Sequence, residues 1–250
     1  MKKLIILLII MLPFSSIAQN GSTVETYRIH EDIVIPNMAI TYENAIKELV
    51  SNLKKHNIPD AKWLSVATND FRYLHVTKID KMADMDRNTF ATLSEKMGEN
   101  ALNELFHRIN KCYDEHGGYI LHLDHELSYM PDGMTQTPEG QPYRRFYYWQ
   151  IKPSDVEKAT ALAKEIKAMY KNKGIKQHYR LYRSGFGNMK TYFMVAVAAK
   201  DAISFEQQDA ETMKLMGEEG KALFEKVMKT AIHFEEVSGY IRSDLSYMPQ

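Results

Sequence analysis

Two hydrophobic periods take turns along this chain. Tyr27 to Ile35 is strand-like, rich in β-branched and aromatic residues. Tyr42, Ala45, Ile46, Leu49, Val50 and Leu53 then fall at i, i+3, i+4, i+7, i+8 and i+11, an amphipathic helix with Thr41 as its N-cap and Asn57 and Pro59 at its end. Trp63 to Thr68 and Phe71 to Ile79 read as strands joined at Thr68-Asn69-Asp70. Phe90, Leu93, Met97, Leu102, Leu105, Phe106, Ile109 and Tyr113 mark a long, broken second helix. Gly117-Gly118 stops it, and Tyr119 to Met130 is a fourth strand.

The pattern then starts again. Tyr143 to Ile151 is a strand, and Ser154-x-x-Glu157 is a capping box before a helical stripe of Val156, Ala159, Ala163, Ile166 and Tyr170 that Gly174 closes. His178 to Tyr182 and Thr191 to Ala199 are strands. Ser204-x-x-Gln207 caps a helix that reaches Phe234 with a break at Gly217 or Gly220, and Gly239 to Met248 is the last strand. The order is β-α-β-β-α-β, twice.

Short identities follow the same order. Leu127-Ser128-Tyr129-Met130-Pro131 returns at 245–249, Met97-Gly98-Glu99 at 216–218, and Gly118-Tyr119-Ile120 at 239–241. Collinear matches at nearly one offset indicate a tandem duplication whose period suits a small domain and is too long for a solenoid. The expected organisation is a leader over 1–18, a first repeat over 19–131, a Gly- and Pro-containing linker over 132–142, and a second repeat over 143–250.

A βαββαβ unit is the ferredoxin-like pattern, with helices on one face of its sheet only. The other face needs cover. Tyr143, Arg145, Tyr147 and Trp149 point one way and Phe146 and Tyr148 the other, so both faces carry large side chains. The predicted fold class is α+β: two tandem ferredoxin-like repeats packed sheet-to-sheet as a pseudo-dimeric α/β barrel. In element order and duplication the chain resembles the dimeric α/β-barrel superfamily, NIPSNAP-like proteins among them. The resemblance spans essentially all of the chain after the leader. It implies a ligand pocket in the barrel or between sheet and helices. Trp63 and His75 are similar to the Trp/His pair of haem-degrading members. They lie on neighbouring strand segments rather than on a strand and a helix, so that site is not carried over.

The N-terminus changes the expected address. Lys2 and Lys3 precede an apolar run from Leu4 to Leu12, and Ser16-Ile17-Ala18 places small residues at −3 and −1 of a cleavage site, the pattern of a secretory signal peptide. The expectation is an exported protein, periplasmic or secreted, with no stable membrane insertion after cleavage. Lys+Arg and Asp+Glu both number 32, giving no net charge. That removes the broad attraction nucleic-acid binders use, so no nucleic-acid partner is expected. Cys112, the single cysteine, cannot form an internal disulfide and falls on an apolar stripe with Leu105 and Ile109.

Seven of the nine histidines precede the linker. His122-Leu123-Asp124-His125-Glu126 is the densest stretch, and His122 and Asp124 share a strand face. With His75 from another strand they form a weak candidate metal set; the bland alternative is a solvated strand end, and no metal is committed to. Tyr129 and Tyr247 of the duplicated pentapeptide, with His75, His122 and Arg145, are the candidate ligand-binding residues; packing is the competing role for the tyrosines. Arg144, Arg145, Arg180 and Arg183 form a basic neighbourhood able to grip an anion, or a solvated strand face. No cofactor is specified, no nucleophile motif or phosphate loop is present, and the oligomeric state is open.

Three functions remain. The first is non-catalytic binding of a small hydrophobic or aromatic ligand in the barrel. The second is a cofactor-independent oxygenase- or isomerase-type enzyme with a His or Tyr base. The third is an envelope interaction module. A His–carboxylate pair lining a large cavity would favour the second, and a barrel plugged by Trp and Tyr the third.

Overall fold

The computed structural model describes residues 23–249; the signal-peptide reading lies outside the described residues. The first half runs β1 (Val24–Val34), α1 (Ala39–His56), β2 (Leu64–Thr68), β3 (Arg72–Ile79), α2 (Ala91–Met97), α3 (Glu99–Asn110) and β4 (Tyr113–Tyr129). The second runs β5 (Tyr143–Ile151), α4 (Val156–Asn172), β6 (Tyr179–Ser184), β7 (Tyr192–Ala199), α5 (Ala202–Thr230) and β8 (Ala231–Ile241).

All eight strands close one antiparallel barrel in the order β1-β3-β2-β8-β5-β7-β6-β4. Closure is by edge pairing: β2 meets β8 at Val66–Ile241, Ala67–Tyr240 and Thr68–Gly239, and β4 meets β6 from Leu121–Ser184 to Asp124–Leu181. The expected α/β barrel is present, and this join closes it, because paired edges leave no unbonded backbone row. Gly239 permits the shorter seam, since a Cβ there would stand 2.5 Å from the Ala67 carbonyl oxygen.

Strand alternation sorts the side chains into layers. Tyr27, Ile29, Leu121, Phe146, Tyr182 and Met194 point inward and fill the barrel. The opposite positions pack under helices: the Tyr42–Leu53 stripe of α1 on one side, and Trp149, Leu162, Phe193 and Phe205 on the other. Each such side chain contributes about 1.5–3 kcal/mol of burial.

Several local expectations shift. Gly117-Gly118 lies inside β4, and Asn110 ends α3 instead. Tyr42 is preceded by a 3₁₀ turn over Pro36–Met38, so α1 begins at Ala39 without the Thr41 cap. Pro153–Asp155 forms a similar turn, and the Ser154–Glu157 box does not form. Asp201, rather than Ser204, caps α5 by accepting the Ser204 N–H at 2.7 Å. The break in α5 falls at Gly217, whose φ of 57° and ψ of −145° suit glycine alone. β8 ends at Ile241, and Tyr247 makes an isolated bridge to Trp63.

Candidate functional site

A cavity of about 310 Å³ in the first half lies outside the barrel between the outer face of β1 and β3 and the helices above. The segment 80–90, which joins β3 to α2, forms part of its wall through Asp84, Arg87 and Phe90. Ile46, Leu49, Phe106 and Ile109 supply an apolar floor.

Period-two alternation on β1 aims Arg28, His30 and Asp32 outward, since Tyr27 and Ile29 point in. His75 of β3 sits opposite His30, and His116 of β4 opposite Asp32. Four polar side chains of three adjacent strands thus meet on one patch. The His30 and His75 rings stack at 6.1 Å, and His116 stands edge-on to His30 at 5.7 Å.

Hydrogen-bond accounting orders this patch. Tyr42 of α1, fully buried, donates to Asp32 Oδ2 at 2.6 Å. A hydroxyl has one proton, so its oxygen is an acceptor for His75 Nε2 at 2.8 Å, which assigns the His75 proton to Nε2. His75 Nδ1 lies 2.9 Å from Ser65 Oγ, whose one proton is shared between Nδ1 and the Leu245 carbonyl at 2.7 Å. Trp63 Nε1 donates to Ser65 Oγ at 3.1 Å and to the Leu245 carbonyl at 2.9 Å. The result is a buried run of polar contacts through Ser65, His75, Tyr42 and Asp32, in which His75 donates to Tyr42 and Tyr42 to one carboxylate oxygen.

The electrostatics follow from that chain. Burial pushes the Asp32 carboxyl up, but His30 and the Tyr42 hydroxyl outweigh it and hold Asp32 below the usual carboxylate range. Burial lowers the His75 imidazole to about 4 against the pull of Asp32, so His75 is neutral near pH 7. Burial and the Asp32 charge push the Tyr42 phenol well above its ordinary value. The other oxygen, Asp32 Oδ1, lies 3.1 Å from His30 Nε2, off the line of any donor, and has no aligned partner. His30 is the half-exposed imidazole of the set and lines the cavity. A His–carboxylate pair backed by a fixed network can accept a proton from a bound molecule and stabilise the imidazolium formed.

Among the described residues, His30, Asp32 and His116 are also the group with ligating atoms mutually within 4.8 Å. Within it, His30 Nε2 and Asp32 Oδ1 are 3.1 Å apart, a proton-sharing separation, with His116 as their neighbour.

The residues singled out in the sequence disperse. His75 lines this cavity, with both ring nitrogens committed to the chain. His122 lies four residues away in register, opposite Thr26, whose hydroxyl it meets at 3.2 Å. Asp124 is buried, accepts the Leu127 N–H and pairs with Arg183 at 3.2 Å. The His122–Asp124–His75 set is therefore not brought together. Tyr129 packs against Tyr170, His178 and Tyr179, and Tyr247 donates to the Ile58 carbonyl at 2.8 Å within the first-half core. Arg145 faces outward under α5, engaged by Glu206 and Glu236. Cys112 is buried and donates to the Arg108 carbonyl. His30, Asp32 and Tyr42 were not singled out. The signal was the β1 alternation that places His30 and Asp32 on one face.

No family model and no curated protein matches the sequence. Similarity to solved structures is substantial in shape and low in sequence. An anthrone oxidase-like protein superposes with a TM-score of 0.55 at 11% identity, over 87% of this chain and 91% of its own. A proposed monooxygenase from Lactobacillus acidophilus gives 0.51 at 11% identity, over 87% and 94%. Another from Fusobacterium nucleatum gives 0.50 at 11%, over 87% and 92%. The fold is thus that of the dimeric α/β-barrel proteins.

These findings correct the first functional expectation. The barrel interior retains only about 60 Å³, less than half of the roughly 150 Å³ of an engineered cavity that takes up benzene. Tyrosines plug it, as a vestigial pocket would require, but the larger cavity stands beside it and carries the His–carboxylate pair. The chain is similar in fold to proteins described as oxidase-like and as monooxygenases.

Proposed function

We propose that this protein is an enzyme of the cofactor-independent oxygenase type, with His30 as general base and Asp32 as its partner. The observation that carries the reading is the His30–Asp32 pair on the wall of the 310 Å³ cavity, with Asp32 anchored from behind by Tyr42 and His75. The substrate class is a small aromatic carbon acid or phenol. Its ring lies on the apolar floor of Ile46, Leu49 and Phe106, and its acidic proton faces His30. His30 takes that proton, the conjugate anion is oxidised by dioxygen, and an activated methylene becomes a carbonyl as one oxygen atom enters the product and the other leaves as water. Arg28 and Lys78 at the rim attract the anion. The fold likeness to an anthrone oxidase-like protein supports this chemistry. The His30–Asp32 pair supports an enzymatic reading over a NIPSNAP-like one.

The test is oxygen uptake by the purified protein with anthrones, hydroquinones and 1,3-diketones, alongside solvent-deuterium exchange at the acidic carbon. Uptake or exchange lost in His30→Ala and Asp32→Asn, and kept in His122→Ala, supports the proposal. Absence of both across the panel overturns it.

We also infer that the chain is a fused pair of ferredoxin-like repeats, 19–131 and 143–250. The matching strand orders β4-β1-β3-β2 and β8-β5-β7-β6 support this. We propose export with cleavage after Ala18; N-terminal sequencing of the protein recovered from its host tests it.

A further inference from the structure

Two buried arginines meet inside the barrel with no carboxylate between them. Arg144 of β5 and Arg180 of β6 are 3% and 2% exposed. Their neighbours behave otherwise: Arg145 meets Glu206 and Glu236, and Arg183 meets Asp124. Among the described residues, no carboxylate oxygen comes within 4.0 Å of Arg144 or Arg180.

Their partners are neutral. Arg144 donates to the carbonyls of Gln141, Tyr143 and Gln136 at 2.5, 2.8 and 2.8 Å, and Arg180 to that of Thr135 at 2.7 Å. These bonds hold the strap over 132–142 across the barrel mouth. They use four of the N–H groups that two guanidiniums offer, and most of those of Arg180 remain. Carbonyl dipoles do not cancel two like charges. Burial and the Arg180 charge lower Arg144 to about 9, so the charged pair is held at a cost. Buried charges of one sign are ordinarily compensated.

We propose that Arg144 and Arg180 bind a small monovalent anion, a halide or a short carboxylate, in the inner cavity that both side chains line. The space, about 60 Å³, is roughly that of two waters and excludes larger oxyanion esters. Gln136 and Tyr182, which bond each other, line it as well. Arg180 also lines an outer cleft of about 430 Å³ beside the strap, so its side chain stands between the inner cavity and that cleft. The site is separate from the His30–Asp32 cavity and independent of the proposed reaction.

The test uses the purified protein in a bulky sulfonate buffer at constant ionic strength, with sodium chloride, bromide, formate or sulfate added. Chloride, bromide and formate are expected to raise Tm by about 3 °C at 100 mM, with sulfate giving no comparable rise. Arg180→Gln is expected to abolish the difference between salts. A crystal grown in bromide is expected to show anomalous density in contact with both guanidiniums. Equal shifts with all four salts, retention of the difference in Arg180→Gln, or bromide bound only elsewhere would each overturn the proposal. If the variant does not fold, the wild-type salt series and the bromide position decide alone. A role confined to tethering the strap would lower Tm in the variant equally in every salt.

Discussion

The two halves share an element order and differ in what lies under their helices. In the second half, β7 passes to α5 through residues 200–201, and α5 lays Phe205 into the cluster that holds Trp149 and Phe193. In the first half, the segment 80–90 intervenes before α2 and α3, which break at Gly98 as α5 does at Gly217. The longer connection lifts the helical layer and leaves the 310 Å³ cavity over His30, Asp32 and His75. The matching outer positions of β5 and β7 carry Tyr147, Trp149, Phe193 and Val195, which close the space. One barrel thus carries a packed half and a hollow one, and the difference lies in one connection and a few strand positions.

Four changes would break or sharpen that contrast. His30→Ala or Asp32→Asn should lower turnover of an accepted substrate by about 10²–10⁴-fold, read as initial oxygen uptake, with the urea midpoint little changed for His30→Ala. Trp149→Ala in the packed half should cost about 3–5 kcal/mol in urea unfolding, and Phe90→Ala at the cavity wall markedly less, because its neighbours already border open space. Lowering the pH should destabilise the hollow half. His75 is faced by Asp32 and His30 from β1, Tyr42 from α1, and Ser65 and the Trp63 ring from the β2 side. Folded His75 stays neutral down to about 4, while the unfolded imidazole protonates near 6.5, so the unfolded state binds more protons between these values. Stability should therefore fall by up to about 3 kcal/mol from pH 7 to pH 4 through this residue, and His75→Gln should flatten that slope. Gly217→Ala should cost about 1–2 kcal/mol, since alanine resists the backbone angles of the α5 kink.

The element order was legible because period 2 and period 3.6 are strong signals in strands and helices of this length. Gly117-Gly118 is no stop, because the ladder to β1 holds both glycines, Gly117 opposite Glu31 and Gly118 opposite His30. The site was legible only in part. His75 stood out as a histidine on a strand, but its chemistry depends on Tyr42, contributed by a helix, and on a strand register that no local pattern encodes. The His122–Asp124 stretch was conspicuous for its density, and register placed it away from the cavity. Of the basic neighbourhood, alternation separated Arg145, which faces the helices, from Arg144, which faces the barrel interior.

The polar chain behind Asp32 has a remote anchor. The carbonyl of Leu245 receives Trp63 Nε1, and Ser246 Oγ receives the Ser65 N–H at 2.8 Å. Residues some 180 positions downstream therefore finish the wall that orients the proton acceptor. Removing residues 245–246 would take one leucine from the hydrophobic layer of the first half and cut away the far support of Asp32.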